Sequence, residues 1–453
     1  KMKQAVEIEN KHLFSKSDLK KLLIPLMIEQ LLNSMMGMVD TVMVSNVGSA
    51  AISAVSLVDS INVLVIQLLS ALAVGGTIVC SQYLGRKDAK RSNNAARQVL
   101  LSTVVISIVM AVFCILFCHP LLRLIFGKVE QDVMDASVIY FYVTAISFPF
   151  IGLFDVGGAF YRAEGNSRYP MMISVISNVM NITGNALLIF GLHWGVFGAA
   201  LSTLVSRIFC AVVVIYSLRK PKQIIVINNY KEIRPDFSLI KKVLAVGIPS
   251  GIENGMFQFG KLAIQSSVST LGTAAIAAQA MTVILENLNG VAAIGIGIGL
   301  TTLVGQCIGA GRKDEAEYYI KKLMFYGEIA LIASCALAYV IARPITWIAG
   351  MEPESAKMCL YMMGWITIIK PIVWDGAFIP AYGLRAAGDV KYTMICSTLS
   401  MWLCRVALCR ILIKYFGFGP IAVWIGMFSD WAIRSILFIH RFKGDKWHRH
   451  HVI

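Results

Sequence analysis

Long apolar runs separated by short polar ones dominate this chain. A bilayer core needs roughly 20 apolar residues per helix, and about twelve stretches meet that length. They fall near 20–44, 50–80, 98–118, 134–160, 170–191, 195–217, 243–268, 274–304, 322–342, 356–382, 392–413 and 419–440. The pattern predicts an all-α integral membrane protein of twelve transmembrane helices. Pro371 and Pro380 fall inside the tenth stretch and mark it as a candidate broken helix.

The pattern also repeats. Gly48-Ser49-Ala50-Ala51-Ile52-Ser53-Ala54 returns as Gly272-Thr273-Ala274-Ala275-Ile276-Ala277-Ala278. At that spacing of 224 positions Pro25 matches Pro249, Glu29 matches Glu253, Gln82 matches Gln306, and Gly195 matches Gly419. Six spans per copy bring each half back to its starting face, so two pseudo-symmetric six-helix bundles arise as parallel repeats about an axis along the membrane normal. The expected division is an N-lobe over 1–217, a polar cytoplasmic linker over 218–242, and a C-lobe over 243–453. Chains duplicated in this way place their sites where the copies meet, which makes solute movement the first functional expectation.

Composition agrees with the pattern: mean hydropathy is +0.70, with 57% hydrophobic and 15% charged residues. The formal charge of +15 would suggest nucleic acid in a soluble chain, but here its placement is a topology signal. With the N-terminus inside, cytoplasmic segments hold roughly thirty Lys and Arg and the outer loops about five. Lys11, Arg86, Lys87, Arg219, Lys222, Arg312 and Lys313 are among the inner set, and Arg123, Lys128 and Arg343 among the outer. We therefore expect a multi-pass protein of the plasma membrane with both termini cytoplasmic and no nucleic-acid partner. The ten cysteines show no paired spacing and read as small packing residues. His448, His450 and His451 belong to a basic end expected to be disordered.

Two motifs are decoys. Gly255-x-x-x-x-Gly260-Lys261 lacks the Ser or Thr that a phosphate-binding loop needs, since Leu262 follows, and it lies in a helix. Gly295, Gly297 and Gly299 imitate a dinucleotide fingerprint in the wrong context. No catalytic set emerges, so the chain is not expected to be an enzyme and needs no cofactor beyond a coupling ion.

Ionisable residues inside the spans carry more information, because a charge at bilayer depth costs from about 3 to above 10 kcal/mol unless it faces a cavity or a partner. Asp40, Glu29 and Glu253 are the leading acids; Asp59, Asp155, Glu286, Glu328, Asp375 and Asp430 follow. Lys261 stands two turns after Glu253 and is a candidate counter-ion. Lys370, Arg207 and Arg410, near span ends, are expected to snorkel or pair. On the fifth span Asn181 and Asn185 are four apart and share a face. With Asp40 and Thr203 they could form an oxygen cage suited to sodium; interhelical hydrogen bonding is the plainer reading. Asn33 and Asn178 join Glu29, Glu253, Lys261, Glu286 and Asp375 as candidate cavity residues.

These residues resemble the multidrug and toxic compound extrusion (MATE) family of secondary transporters. Val39-Asp40-Thr41-Val42-Met43-Val44 followed by Gly48-x-Ala50-Ala51-Ile52 is similar to its first-span signature. Arg162-Ala163-Glu164-Gly165-Asn166 and Leu384-Arg385-Ala386-Ala387-Gly388-Asp389 resemble its paired cytoplasmic loops. Asn181-Ile182-x-x-Asn185 and Gly195-Val196-Phe197-Gly198-Ala199-Ala200-Leu201-Ser202-Thr203 look like its fifth and sixth spans. The resemblance covers essentially the whole chain.

It implies a two-lobed exporter that exchanges H+ or Na+ for drugs and other organic solutes by alternating access. It implies an N-lobe cation site at Asp40, Asn181, Asn185 and Thr203, although many members carry Asp where this chain has Asn185. Asp375 resembles the family's tenth-span acid. Expected partners are small organic solutes, cationic or lipophilic, and membrane lipids, with the chain a monomer. A lipid-linked oligosaccharide flippase is the alternative within transport; a membrane-embedded enzyme or a passive channel lies further off.

Overall fold

The computed structural model describes residues 12–127, 129–221, 223–227 and 233–453. Lys11, Lys128 and Lys222, three of the predicted loop charges, lie outside them. Helices account for nearly all of the described chain, in the predicted order. The first three spans are Lys16–Ser45, Ser49–Gly85 and Ala89–Leu116. The fourth is a pair, Gln131–Ile146 and Phe148–Ala163; the fifth and sixth are Arg168–Gly191 and Gly195–Ser217. The second half supplies Phe237–Val268, Thr273–Gly309, Lys313–Ile348, Pro353–Ala386, Val390–Tyr415 and Ile421–Lys443.

Ten of these helices are long and apolar enough to cross a membrane, and the bent fourth pair makes eleven. The twelfth expected span, Phe237–Val268, is a full 32-residue helix that falls short of that standard. Ser250, Glu253, Asn254 and Gln258 dilute its apolar middle, as befits a helix with one face turned from lipid.

The duplication is visible in the elements. The second and eighth spans are both 37 residues long, Ser49–Gly85 and Thr273–Gly309, and start 224 positions apart. Each follows a glycine at positive φ, Gly48 at 143° and Gly272 at 96°, a conformation that suits glycine. The fifth and eleventh spans each contain a π-helical stretch, Ala186–Gly191 and Met401–Leu408.

The expected break in the tenth span is absent: Pro353–Ala386 runs continuously through Pro371 and Pro380. The break lies in the fourth span, where the two halves meet at 42°. Pro149 has no N–H to offer the preceding turn. Ser147 closes that turn instead, its N–H reaching Thr144 O at 3.1 Å and its Oγ donating to the same carbonyl at 2.5 Å.

Two compact units emerge. One takes in the described residues up to Leu31 together with Ile252–Val452; the other is Leu32–Gly251. This differs from a cut at 218–242. The N-terminal part of the seventh span belongs with most of the first six spans, and the N-terminal part of the first span belongs with the later spans. Glycines permit this. A Cβ on Gly75 would stand 3.1 Å from Val243 O, and one on Gly295 would stand 2.9 Å from Met27 Cα, so backbone packs on backbone at both places. Each unit has its own core: Val58, Leu69, Phe141, Phe148 and Ala200 in Leu32–Gly251, and Leu285, Met363, Ile366 and Trp424 in the other.

Segments expected to be loose are strapped down. Ile225 N donates to Glu164 Oε1 at 2.6 Å and Val226 N to Asn93 Oδ1 at 2.8 Å, so the linker lies along the ends of its own unit's spans. The basic tail is ordered: Trp447 is fully buried against Phe442, and His450 Nε2 sits 3.1 Å from Asp389 Oδ1. Asp389 also takes two hydrogen bonds from Arg441, at 2.8 and 3.1 Å. Nine of the ten cysteines are buried and pack as small apolar groups.

Candidate functional site

Within Leu32–Gly251 the C-terminal half of the first span brings Asp40 against the fifth. Asn185 Nδ2 donates to Asp40 Oδ1 at 2.5 Å and Asn181 Nδ2 to the same oxygen at 3.4 Å. The i,i+4 spacing of the two asparagines sets up this convergence. Asn185 is fully buried, and its Oδ1 has no hydrogen-bond partner among the described residues. Asn181 is oriented from the sixth span: Ser202 Oγ donates to its backbone O at 2.9 Å and to its Oδ1 at 3.1 Å. Gly184 makes room for that contact, since a Cβ there would collide with Ser202 Oγ. The π-helical stretch begins at Ala186, directly after Asn185; such widened turns recur at functional sites.

Three of the four predicted cation-site residues therefore meet. Thr203 does not join them: its Oγ1 donates to Ala199 O, one turn back on its own helix, at 3.1 Å. A β-branched hydroxyl readily closes on the preceding carbonyl in this way. Ser202, which sequence reasoning passed over, takes its place. Its only signal was Ser206 four positions on, marking a polar stripe on that helix. Deeper along the fifth span, Asn33 Oδ1 accepts from Ser174 Oγ at 3.0 Å and Asn178 Nδ2 at 3.4 Å.

A second polar group lies in the same unit. Asp59 accepts from Tyr140 OH at 3.1 Å and from Asn62 Nδ2 at 3.4 Å. Arg207 does not snorkel. Its Nη1 donates to Ser147 Oγ at 2.6 Å, at the bend of the fourth span, and it interacts electrostatically with Asp59, Asp155 and Asp40. Around this one guanidinium three carboxylates gather, so the local balance is acidic.

The other unit has a different balance. Glu253, matched to Lys261 from sequence, instead pairs with Arg385, Oε1 to Nη2 at 2.6 Å. Lys261 lies over the Phe257 ring at 4.7 Å. The reason is distance along the helix: eight residues carry Lys261 about 12 Å from Glu253, while Phe257 stands one turn away on the same face. Lys370 also fails to snorkel; it is 1% exposed and donates to Glu286 Oε1 at 2.8 Å and Asn289 Oδ1 at 2.5 Å. Asp430 is fully buried between Arg405 (2.6 Å) and Arg434 (2.8 Å). Asp375 is buried, with Oδ1 directed at Gly327 of the ninth span and without a hydrogen-bond partner among the described residues. Glu29 is buried at 6% exposure in this unit, apart from Asp40 in the other.

A family model described as MatE matches residues 25–187 and again 249–411. The chain is 26% identical over 447 residues to a probable multidrug resistance protein NorM of Thermotoga maritima, covering 97% of this chain and 94% of that one. It is 25% identical over 368 residues to the multidrug export protein MepA of Staphylococcus haemolyticus, covering 81% and 80%. Among solved structures, a crystal structure of MATE in complex with MaL6 superposes with a TM-score of 0.88 at 19% identity, over 94% of this chain and 95% of that one. The fold is thus shared with MATE structures, and the doubled match falls on the two copies seen in the sequence. This multi-pass membrane protein belongs to the MatE family of transporters.

Proposed function

We propose that this chain exports drug-like organic solutes from the cytoplasm across the plasma membrane, driven by an inward ion flux that loads Asp40. The multidrug names of its relatives support the direction and the solute class. They give no support to the lipid-linked oligosaccharide flippase. The observation that carries the coupling site is the convergence of Asn181 and Asn185 on one oxygen of Asp40, beside the buried Asn185 Oδ1 that has no hydrogen-bond partner among the described residues.

The arrangement suits a proton as the loading ion. As built, both amides donate, which satisfies an ionised carboxylate. A protonated Asp40 would donate, and a turn of the Asn185 amide would present Oδ1 as its acceptor. Sodium would need both amides turned, with a single carboxylate supplying charge, so it is the second reading. Loading removes the demand for two donors, freeing the fifth span to re-pack against the first. The two units alternate access as that packing changes.

The test is uptake of ethidium into inverted proteoliposomes under an imposed pH gradient, then under an imposed sodium gradient. Asp40→Asn keeps the shape and removes the titratable group, and gradient-driven transport is expected to fall to background. Undiminished transport by Asp40→Asn would remove this site from the mechanism. A response to sodium alone would replace the proton with sodium.

A further inference from the structure

We propose that the unit formed by the later spans contains a binding site for the anionic group of an organic solute, centred on Lys261 and Phe257 of the seventh span. Three cations and two aromatic rings form a ladder there. Lys261 Nζ lies 4.7 Å from the Phe257 ring centre, and Arg405 lies 5.3 Å from the same ring. Arg405 is 5.9 Å from the Trp431 ring, and Lys370 is 5.8 Å from it. Arg434 adjoins through its shared carboxylate.

The carboxylates in this group are fewer than the cations and already engaged. Asp430 is held by both Arg405 and Arg434, and Glu286 by Lys370. Four cations thus face two carboxylates. Lys261 interacts electrostatically with Arg405 and Glu286 but forms no ion pair with a carboxylate among the described residues. Asp375, next along the tenth span, is turned to Gly327 and Glu253 is bound to Arg385. Uncompensated positive charge in a low-dielectric interior is costly, and an incoming anion relieves it.

Accessibility separates Lys261 from its neighbours. Lys370, Arg405 and Arg434 are 1, 3 and 4% exposed, whereas Lys261 is exposed. The buried three hold the ladder in place, and Lys261 is the cation of the four that a solute would meet. Phe257, half-buried and one turn away on the same face, offers an apolar surface beside that charge. The matching chemistry is a carboxylate, sulfonate or phosphate carried on an aromatic or aliphatic body. Free organic anions and anionic lipid headgroups share it.

This inference rests on the exporter reading for the direction of travel, but binding can be read without transport. Carboxyfluorescein, an organic polyanion, and ethidium, a cation, are titrated by fluorescence anisotropy into the detergent-purified full chain. Lys261→Gln is expected to weaken carboxyfluorescein by about tenfold or more, the usual scale for a lost charge-assisted contact. Lys261→Arg is expected to restore most of it, and ethidium to be unaffected in both variants.

Equal carboxyfluorescein affinity in wild type and Lys261→Gln would overturn the proposal. So would a loss shared by ethidium, which would report general damage. In nanodiscs, competition by phosphatidylglycerol but not phosphatidylcholine would support the site and assign it to a headgroup. Persistence of dye binding in both lipids would support it for free organic anions. If dye binding follows Lys261 but no gradient drives any dye, the exporter reading fails and the anion site stands.

Discussion

Lys370 and Glu286 meet at 2.8 Å in the interior of one unit, where neither charge could be held alone. Removing one member of such a pair typically costs about 3–5 kcal/mol, because the other stays buried and uncompensated. Lys370→Met is therefore expected to lower the melting temperature of the purified protein and its yield in the membrane. Adding Glu286→Gln is expected to recover most of the loss, since Asn289 still offers its amide nearby. If the double variant melts no higher than the single one, the pair is not what the lysine serves. Residue identity alone leaves Lys370, near a span end, to snorkel or to pair. The structure pairs it because Asn289 and Glu286, three apart on the eighth span, reach it together. The asparagine pair and Asp40 were legible, because i,i+4 spacing is a local property. The replacement of Thr203 by Ser202 was not, because it depends on which hydroxyl faces the fifth span and on Gly184 leaving room for it.

At the scale of elements, segments joining the helices are as informative as the helices. Glu164 caps the C-terminal end of the fourth span, and its carboxylate binds the linker through Ile225 N at 2.6 Å. Burial pushes its pKa from the usual carboxylate range up to about 7, against the opposing pull of the linker amides. A carboxyl whose folded value is raised is easier to keep in place when protonated. The stability it lends is full below about 4.5 and is lost as pH rises through about 7. Hydrogen exchange at 224–227, corrected for intrinsic rate, is thus expected to be slower at pH 6 than at pH 8. Glu164→Gln should flatten that dependence. A wild-type profile without any change across this window would show that ionisation of Glu164 does not govern the docking. The helices themselves were readable from apolar run length, but the third and ninth begin nine residues before the apolar run does, at Ala89 and Lys313, because polar and charged residues make up their first turns. Which span bends was not: Pro371 and Pro380 lie within a continuous helix while the bend falls at Ser147. A proline's effect depends on whether neighbouring groups re-satisfy the backbone, and that lies outside its own sequence.

For the whole molecule, the duplication was plain in the sequence, but the membership of the two compact units was not. Periodicity counts spans in order and assigns the first six to one body. Close approach at Gly75 and at Gly295 instead assigns 237–251 to the first body and the described residues up to Leu31 to the second. A fragment ending at residue 217 would lack 237–251, leaving the second span without the backbone it packs on at Gly75 and Tyr83 without Lys242, now 3.2 Å from its hydroxyl. The same fragment would carry an orphaned N-terminal part of the first span, including buried Leu22, Leu23 and Leu26. Fragments 1–217 and 218–453 expressed alone are therefore expected to aggregate or be degraded, as judged by fluorescence-detected size-exclusion profiles. Expressed together, they should recover a single symmetric peak, because each restores the helix segment the other needs. A monodisperse 1–217 fragment melting as high as the full chain would show that 237–251 is not needed to stabilise the unit it packs in.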